Sequence, residues 1–304
     1  ERGLVEPDLV VREAFKSLYA AFQATDGGMV DQISLRHVEI LFLQDGKQRR
    51  LQVDRAEVNR VDSGKVTVSA LALFEGREIS LAGEIARDEA TRLISDVDLN
   101  IEGAVPDDGR ETRDEPTAGR IGAFTARLKG SDAPDPGGAS LSLSARVDES
   151  VLDLGARGKF RGSVELDASL GEGSHKIEID RLVIRSEKNS FDLNGAFGPR
   201  PPTGASDDRP VYRFEMVSNA SVLAPATSTE PPLSFGARIA GTYAPDDGLI
   251  ATNAMEVRTA SGTVLGNLQL NLIPGGAPGL ALAVSLRDMP VSEVKQLWPW
   301  FSAR

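Results

Sequence analysis

Isolated histidines and paired aspartates are the residues of this chain whose types and spacing could do chemistry. His37 and His175 are the two histidines of the sequence, and neither has a local cluster of metal-ligand residues around it. Pro-Asp-Asp-Gly occurs at residues 106–109 and 245–248, where the adjacent carboxylates could bind calcium. Proline early, aspartate next and glycine last is also ordinary turn chemistry, and the EF-hand spacing is absent. The sequence therefore favours plain turns at both places.

Sequence motifs of enzymes are missing from the chain. It has no nucleophile elbow, P-loop, zinc-protease motif or dinucleotide-binding motif. It has no cysteine, which excludes thiolate chemistry and disulfides. A hydrolase of envelope polymers would need a defined pair of carboxylates, and none stands out among the many Asp and Glu residues. We therefore predict no enzymatic activity, no cofactor and no metal site.

The charge and hydropathy of the chain limit which classes of partner it can bind. The formal net charge is -11 at pH 7, which argues against nucleic acid and against simple adhesion to anionic lipid headgroups. No run of about eighteen apolar residues is present, so the sequence predicts no membrane-spanning helix.

Alternating apolar and polar residues are the dominant pattern of the sequence. Residues 177–197 read as two strands joined by a charged turn at 186–190. In the second strand Phe191, Leu193 and Phe197 point to one face, while Asp192 and Asn194 point to the other. The same alternation recurs along residues 33–101 and 124–286. This pattern is typical of half-buried strands in an antiparallel sheet.

Helices are few in the predicted fold. Residues 8–22 form the long one, with an apolar stripe that we expect to pack against one end of a sheet. Residues 87–93 and 149–155 suggest helical turns, and residues 290–297 predict a short C-terminal helix. After that helix, Trp298 and Trp300 are expected to cover an apolar end of the sheet.

A polar, proline-containing stretch divides the chain into two predicted parts. Residues 1–104 are predicted to form a helix plus an antiparallel β unit, residues 105–119 an acidic linker, and residues 120–304 a repeated β-hairpin region. One long helix cannot cover the apolar face of so many strands. The sheet must fold onto itself as a sandwich, close as a barrel, or stay open as a trough. The alternation alone favours the sandwich.

A family resemblance changes that preference. Residues 280–304 read LALAVSLRDMPVSEVKQLWPWFSAR, and residues 33–46 read ISLRHVEILFLQDG. Strands also end in Leu-x-Gly-x-aliphatic or aromatic, at 81–85 and 193–197. Together these segments resemble the AsmA-like proteins of Gram-negative bacteria, in their YhdP-type branch. The resemblance implies an elongated, curved antiparallel sheet, open as a groove, and no catalytic residues.

What such a protein does also follows from the resemblance. It implies a periplasmic segment that shields phospholipid acyl chains during transport between inner and outer membranes. The N-terminal inner-membrane anchor of the family is missing here, and other envelope proteins are expected partners. The alternative is a β-sandwich scaffold or ligand-binding module of the cell envelope. The residues expected to face lipid are the apolar members of three strands: Phe191, Leu193, Phe197, Leu268, Leu270, Leu272, Leu282, Val284 and Leu286.

Overall fold

The computed structural model of the protein divides into two compact units, residues 8–173 and residues 174–304. The predicted linker at 105–119 falls inside the first unit and lies almost wholly outside the described residues. The structure describes residues 11–16, 18–19, 22, 31–44, 47–74, 76–104, 119–120, 122–132, 138–153, 159–171, 174–186, 189–200, 211–225, 231–271 and 279–297.

The N-terminal unit is an antiparallel sheet in which nearly every strand pairs with the next one in sequence. Helix α1 precedes the sheet and includes residues 11–16, 18–19 and 22. The strands are β1 Gln32–Gln44, β2 Lys47–Asp62, β3 Lys65–Phe74, β4 Arg77–Arg87, β5 Ile94–Gly103, β6 Gly119–Arg120, β7 Phe124–Asp132, β8 Ala139–Asp153 and β9 Lys159–Gly171. The exception is the two-residue β6, which pairs with β8, so that β5 pairs directly with β7.

The C-terminal unit is a second antiparallel meander. Each strand pairs with its successor, and the predicted hairpin closes with Ser186 opposite Asn189. The elements are β10 Ile177–Ser186, β11 Asn189–Pro199, β12 Tyr212–Leu223, β13 Leu233–Ala244, β14 Leu249–Thr259, β15 Thr263–Asn271, β16 Gly279–Arg287 and helix α2 Val291–Leu297.

The predicted fold class is confirmed: the protein is mostly β, with an open antiparallel sheet, an N-terminal helix and a short C-terminal helix. Within each unit the described strands form one sheet, and the first and last strands of the unit do not pair with each other. The sandwich favoured by alternation alone is therefore not what either unit forms.

One predicted helical segment is wrong, and the other is a single turn. Residues 149–153 continue β8, where Ser150 pairs with Gly162 of β9, because the strand ladder satisfies their backbone groups. At 88–92 one of the predicted helical turns forms, closed by a hydrogen bond from Arg92 N–H to the Asp88 carbonyl (2.8 Å). The Asp88 carboxylate caps this turn by accepting hydrogen bonds from the backbone N–H groups of Ala90 (3.0 Å) and Thr91 (2.7 Å). The hydrogen bond from Thr91 N–H lowers the pKa of Asp88.

Strand register separates an apolar face from a polar face in the N-terminal unit. One row across the sheet runs through residues that are apolar or glycine, and the adjacent row on the other face is polar. Residues directly opposite each other on paired strands share a face. The apolar row is Val68, Gly83, Leu99, Leu128, Leu143 and Ala168, and the polar row is Thr67, Glu84, Asp98, Lys129, Ser142 and Ser169.

Helix α1 covers one end of the apolar face of its unit. This is the end at which β3 begins and β4 ends. The buried cluster there contains Val11, Phe15 and Phe22 of the helix, together with Val66, Ile85, Ile94, Val97, Ala139 and Leu141 of the sheet. Each side chain of this cluster is at most 9% exposed, so burial of apolar surface holds the helix against the sheet.

Tyr19 makes polar contacts between α1 and the sheet. Its hydroxyl donates a hydrogen bond to the Asp132 carboxylate and accepts one from the backbone N–H of Ile94 (3.1 Å). Burial and the bond to Asp132 raise the pKa of Tyr19 to about 12.

Tyr19→Phe should lower the free energy of unfolding by about 1–2 kcal/mol, because it removes both hydrogen bonds and keeps the ring. Since the folded-state pKa is raised, this contribution is complete below pH 10 and is lost as pH rises towards 12. Chemical unfolding at pH 8 and pH 11.5 measures it, and the gap between wild type and variant should narrow at the higher pH. A gap that widens at pH 11.5 would contradict the assignment.

Bulges interrupt the ladders of several strands. They fall between Val147 and Ser150 in β8, between Ile179 and Leu182 in β10, and between Ser218 and Ser221 in β12. At each bulge the apolar row changes from odd to even residue numbers or the reverse, because one extra residue is inserted on one strand.

Helix α2 is fastened to one end of the C-terminal sheet. The Glu293 carboxylate accepts hydrogen bonds from the hydroxyls of Thr259 and Ser261, both at 2.6 Å, and these residues lie at the β14–β15 turn. Val294 of the helix is buried, as are Leu233 and Val264 at the same end of the sheet. Trp298 and Trp300, predicted to cover an apolar end of the sheet, lie outside the described residues.

Candidate functional site

The residues expected to face lipid are brought together by strand register in the C-terminal unit. Leu193 and Phe197 share their side of β11 with Gly195. From Gly195 one row crosses the sheet through Met216, Ile239, Met255, Gly266 and Val284. On β15 and β16, Leu268 lies opposite Leu282 and Val264 lies opposite Leu286. We call this surface of the C-terminal unit the apolar face.

Exposure differs between the middle and the edge of the apolar face. Six of the expected residues are half-buried: Phe191, Leu193, Phe197, Leu268, Leu270 and Leu282. Val284 and Leu286 are 40% and 42% exposed because β16 is an edge strand. Asp192 and Asn194 are exposed on the opposite, polar face. Leu272, the remaining residue of the set, lies outside the described residues.

Aromatic rings and glycines shape the apolar face in a way that the sequence pattern only hinted at. Phe197 stacks on Tyr212 with ring centres 5.1 Å apart, and Phe191 meets Phe235 edge-on at 6.3 Å. Phe214 lies over Gly241, where an added Cβ atom would come within 2.8 Å of the ring. A ring that lies across a glycine fills the space left by the missing side chain, so the apolar surface continues without a gap. The Leu-x-Gly-x-aromatic segment at 193–197 was the sequence signal for Phe197.

Much of each apolar face remains partly exposed. In the N-terminal unit Ile79, Leu81, Ile101 and Ala126 are half-buried and lie outside the cluster beneath α1. In the C-terminal unit α2 is fastened at the end where Leu233 and Val264 are buried, and the expected lipid-facing residues extend beyond that end. Large, partly exposed apolar patches are in general typical of surfaces that contact a partner or a ligand.

The polar faces are occupied by solvated ion pairs. The Arg127 guanidinium donates to the Asp98 carboxylate (Nε to Oδ1, 2.7 Å), and this hydrogen bond lowers the pKa of Asp98. Arg238 pairs in the same way with Glu215 (Nε to Oε1, 3.0 Å). Arg127, Glu215 and Arg238 are exposed and Asp98 is half-buried, so these pairs contribute little to stability and the face stays in contact with water.

The residues singled out for chemistry do not converge. His37 and His175 are exposed, and the Nδ1 atom of His37 lies 3.3 Å from an Asp54 carboxylate oxygen. Residues 245–248 form a turn closed by a hydrogen bond from Gly248 N–H to the Pro245 carbonyl (3.1 Å), while 106–109 lie outside the described residues. In the part of the chain that the structure describes, no group of three His, Cys, Asp or Glu side chains is placed to hold a metal.

The fold and the site together define a class: antiparallel β-sheet units, each with one partly exposed apolar face and one charged face. Searches of protein-family models, curated proteins and solved structures find nothing that matches this chain. Among the described residues, no helix has both the length and the apolar character needed to cross a bilayer.

Proposed function

We propose that the chain is a periplasmic segment of an AsmA-like lipid-transport protein and that its apolar faces shield phospholipid acyl chains. The observation that carries the proposal is the half-exposed apolar face of the C-terminal unit, which continues from β11 to β16. The resemblance of residues 280–304 to the family supports the location, the inner-membrane attachment of the full-length protein and a role in envelope integrity.

The physical chemistry of such a face suits acyl chains. Burial of hydrocarbon is non-directional and contributes about 0.8 kcal/mol per CH₂ group, so the face needs no catalytic residue. The seven described strands of the C-terminal unit, at ~4.8 Å per strand, give an apolar row of ~29 Å. That length is close to the ~30 Å hydrocarbon thickness of a bilayer, which is two acyl chains end to end.

Photocrosslinking tests the proposal directly. A crosslinking amino acid at Leu193, Leu270 or Val284 should label phospholipid in cells, because these side chains lie on the apolar face. The matched controls are Asp192 and Gln269, each adjacent in sequence to a test position and exposed on the opposite face. Mass spectrometry of the labelled adducts identifies what was captured.

Acyl capture should also be insensitive to salt. Screening weakens charge contacts and leaves apolar burial intact, so phospholipid or an uncharged alkyl glucoside should copurify at high ionic strength. Equal labelling on both faces, or no lipid from any position, would contradict the proposal. Labelling of protein alone at the apolar positions would favour the scaffold function instead.

A further inference from the structure

The C-terminal unit has a depression on its polar face that the proposed function does not use. It has a volume of about 820 Å³, within the usual range for ligand pockets, and lies where β10 begins and β11 ends. Four basic residues line it: His175, Lys176, Arg200 and Arg213. In a chain with a net charge of -11, such a local concentration of positive charge is unexpected.

Gly198 brings the basic residues together. Arg213 of β12 lies directly opposite Gly198 of β11, so no neighbouring side chain crowds it on that strand. On the other side, the chain before β10 passes close to Gly198. A Cβ atom there would lie 2.4 Å from the carbonyl oxygen of His175 and 2.8 Å from the Cα atom of Lys176. Only glycine allows this approach, which places residues 175 and 176 beside Arg213.

No carboxylate of the described residues neutralises Arg200 or Arg213. Among the described residues that line the depression, Glu215 is the one acidic side chain, and it is paired with Arg238. Lys176 forms an ion pair with Glu178, with 2.5 Å between Nζ and Oε1. In the described part of the chain, the Arg200 and Arg213 side chains form no ion pair. Thr242 and Asn253 add uncharged hydrogen-bond donors to the lining.

We propose that this depression binds a phosphate group. A guanidinium group donates parallel hydrogen bonds to phosphate oxygens, and two guanidinium groups with nearby hydroxyl and amide donors match a tetrahedral anion. Carboxylate ligands fit less well, because they offer two oxygen atoms to a site with donors from several strands.

A phospholipid headgroup is one source of that phosphate, and this part of the inference depends on the proposed function. Phe197 and Tyr212 stack on the apolar face at the same strand ends where Gly198 and Arg213 shape the depression. A lipid with its tails on the apolar face would therefore need only to extend its headgroup past the strand ends to reach Arg200 and Arg213. A free phosphate or soluble phosphate ester is the other source.

The test compares two double variants of equal charge. Arg200→Gln/Arg213→Gln removes the free guanidinium groups. Arg258→Gln/Arg287→Gln removes two exposed arginines at the C-terminal ends of β14 and β16. These arginines lie next to α2, at the end of the sheet away from the depression. Dissociation constants are measured for inorganic phosphate, for a short-chain phosphatidylglycerol and for an alkyl glucoside of equal chain length. Amide NMR shifts of the wild type at Gly198 and Arg213 locate the phosphate independently of any variant.

Phosphate binding should weaken on the order of tenfold per arginine removed in the first variant and change little in the second. A parallel loss for phosphatidylglycerol, with the glucoside unchanged, identifies the headgroup as the source. A loss for inorganic phosphate alone identifies a soluble phosphate ligand. If the wild type did not bind the alkyl glucoside, that result would count against acyl shielding and would leave the phosphate site unaffected. The inference is overturned if the two variants bind phosphate equally, or if phosphate leaves the amides of Gly198 and Arg213 unshifted.

Discussion

Ile85→Asp should unfold the N-terminal unit, with a loss of about 4–5 kcal/mol in the free energy of unfolding. Ile85 is 2% exposed and lies between Val66 and Val97 in the cluster beneath α1. A carboxylate there would be buried without a partner, which is among the most costly single substitutions. Urea unfolding followed by circular dichroism measures the loss.

Leu193→Asp is the matched comparison, because it makes the same change on the open apolar face. Leu193 is half-buried, so the new carboxylate can reach water and the cost should be only about 1–2 kcal/mol. Lipid capture by the C-terminal unit should nevertheless fall sharply. If Leu193→Asp cost as much as Ile85→Asp, the apolar face would have to be covered in solution, and the open groove would be excluded.

Gly122→Ala should destabilise the N-terminal unit by about 3 kcal/mol or more, although it adds one methyl group. An added Cβ atom would lie 1.4 Å from the backbone carbonyl oxygen of Asp148. The backbone cannot simply move away. Gly122 N–H donates to the Ser150 hydroxyl at 3.1 Å, and its carbonyl accepts from Arg77 at 2.7 Å.

Gly171→Ala provides the control for that experiment. Gly171 is also in the N-terminal unit, and an added Cβ atom there meets nothing within 4 Å. Its replacement should leave stability unchanged or raise it by up to about 1 kcal/mol, since alanine reduces the freedom of the unfolded chain. Thermal unfolding of both variants gives the comparison, and similar losses in the two would mean that contact with Asp148 is not the cause.

Alternation in the sequence located the strands well and their ends less well. β2 runs from Lys47 to Asp62, although the sequence alone delimits it only between Leu51 and Val58, because charged residues at strand ends break the alternation while their backbone still pairs. The error at 149–153 has a similar origin. Glu149 has a positive φ of 38° beside the bulge in β8, and no local pattern indicates that the strand resumes after it.

The two parts of the candidate site differ in how far the sequence could predict them. The apolar face follows from alternation within single strands, so Leu193, Leu268 and Val284 could be named in advance. The basic depression could not be, because Lys176, Arg200 and Arg213 come from three separate strand ends. They meet only through the pairing of β10, β11 and β12, which is a long-range property of the chain.

The bulges have a consequence for how reliably such a sheet folds. When two similar alternating strands slip by two residues, every side chain keeps its face, so hydrophobic burial barely opposes the error. A bulge removes that freedom. The extra residues near Leu182 in β10 and Ser221 in β12 have only one position where the partner strand accommodates them. The bulges thus fix the strand register, so that a repetitive meander has one favoured register among many of nearly equal energy.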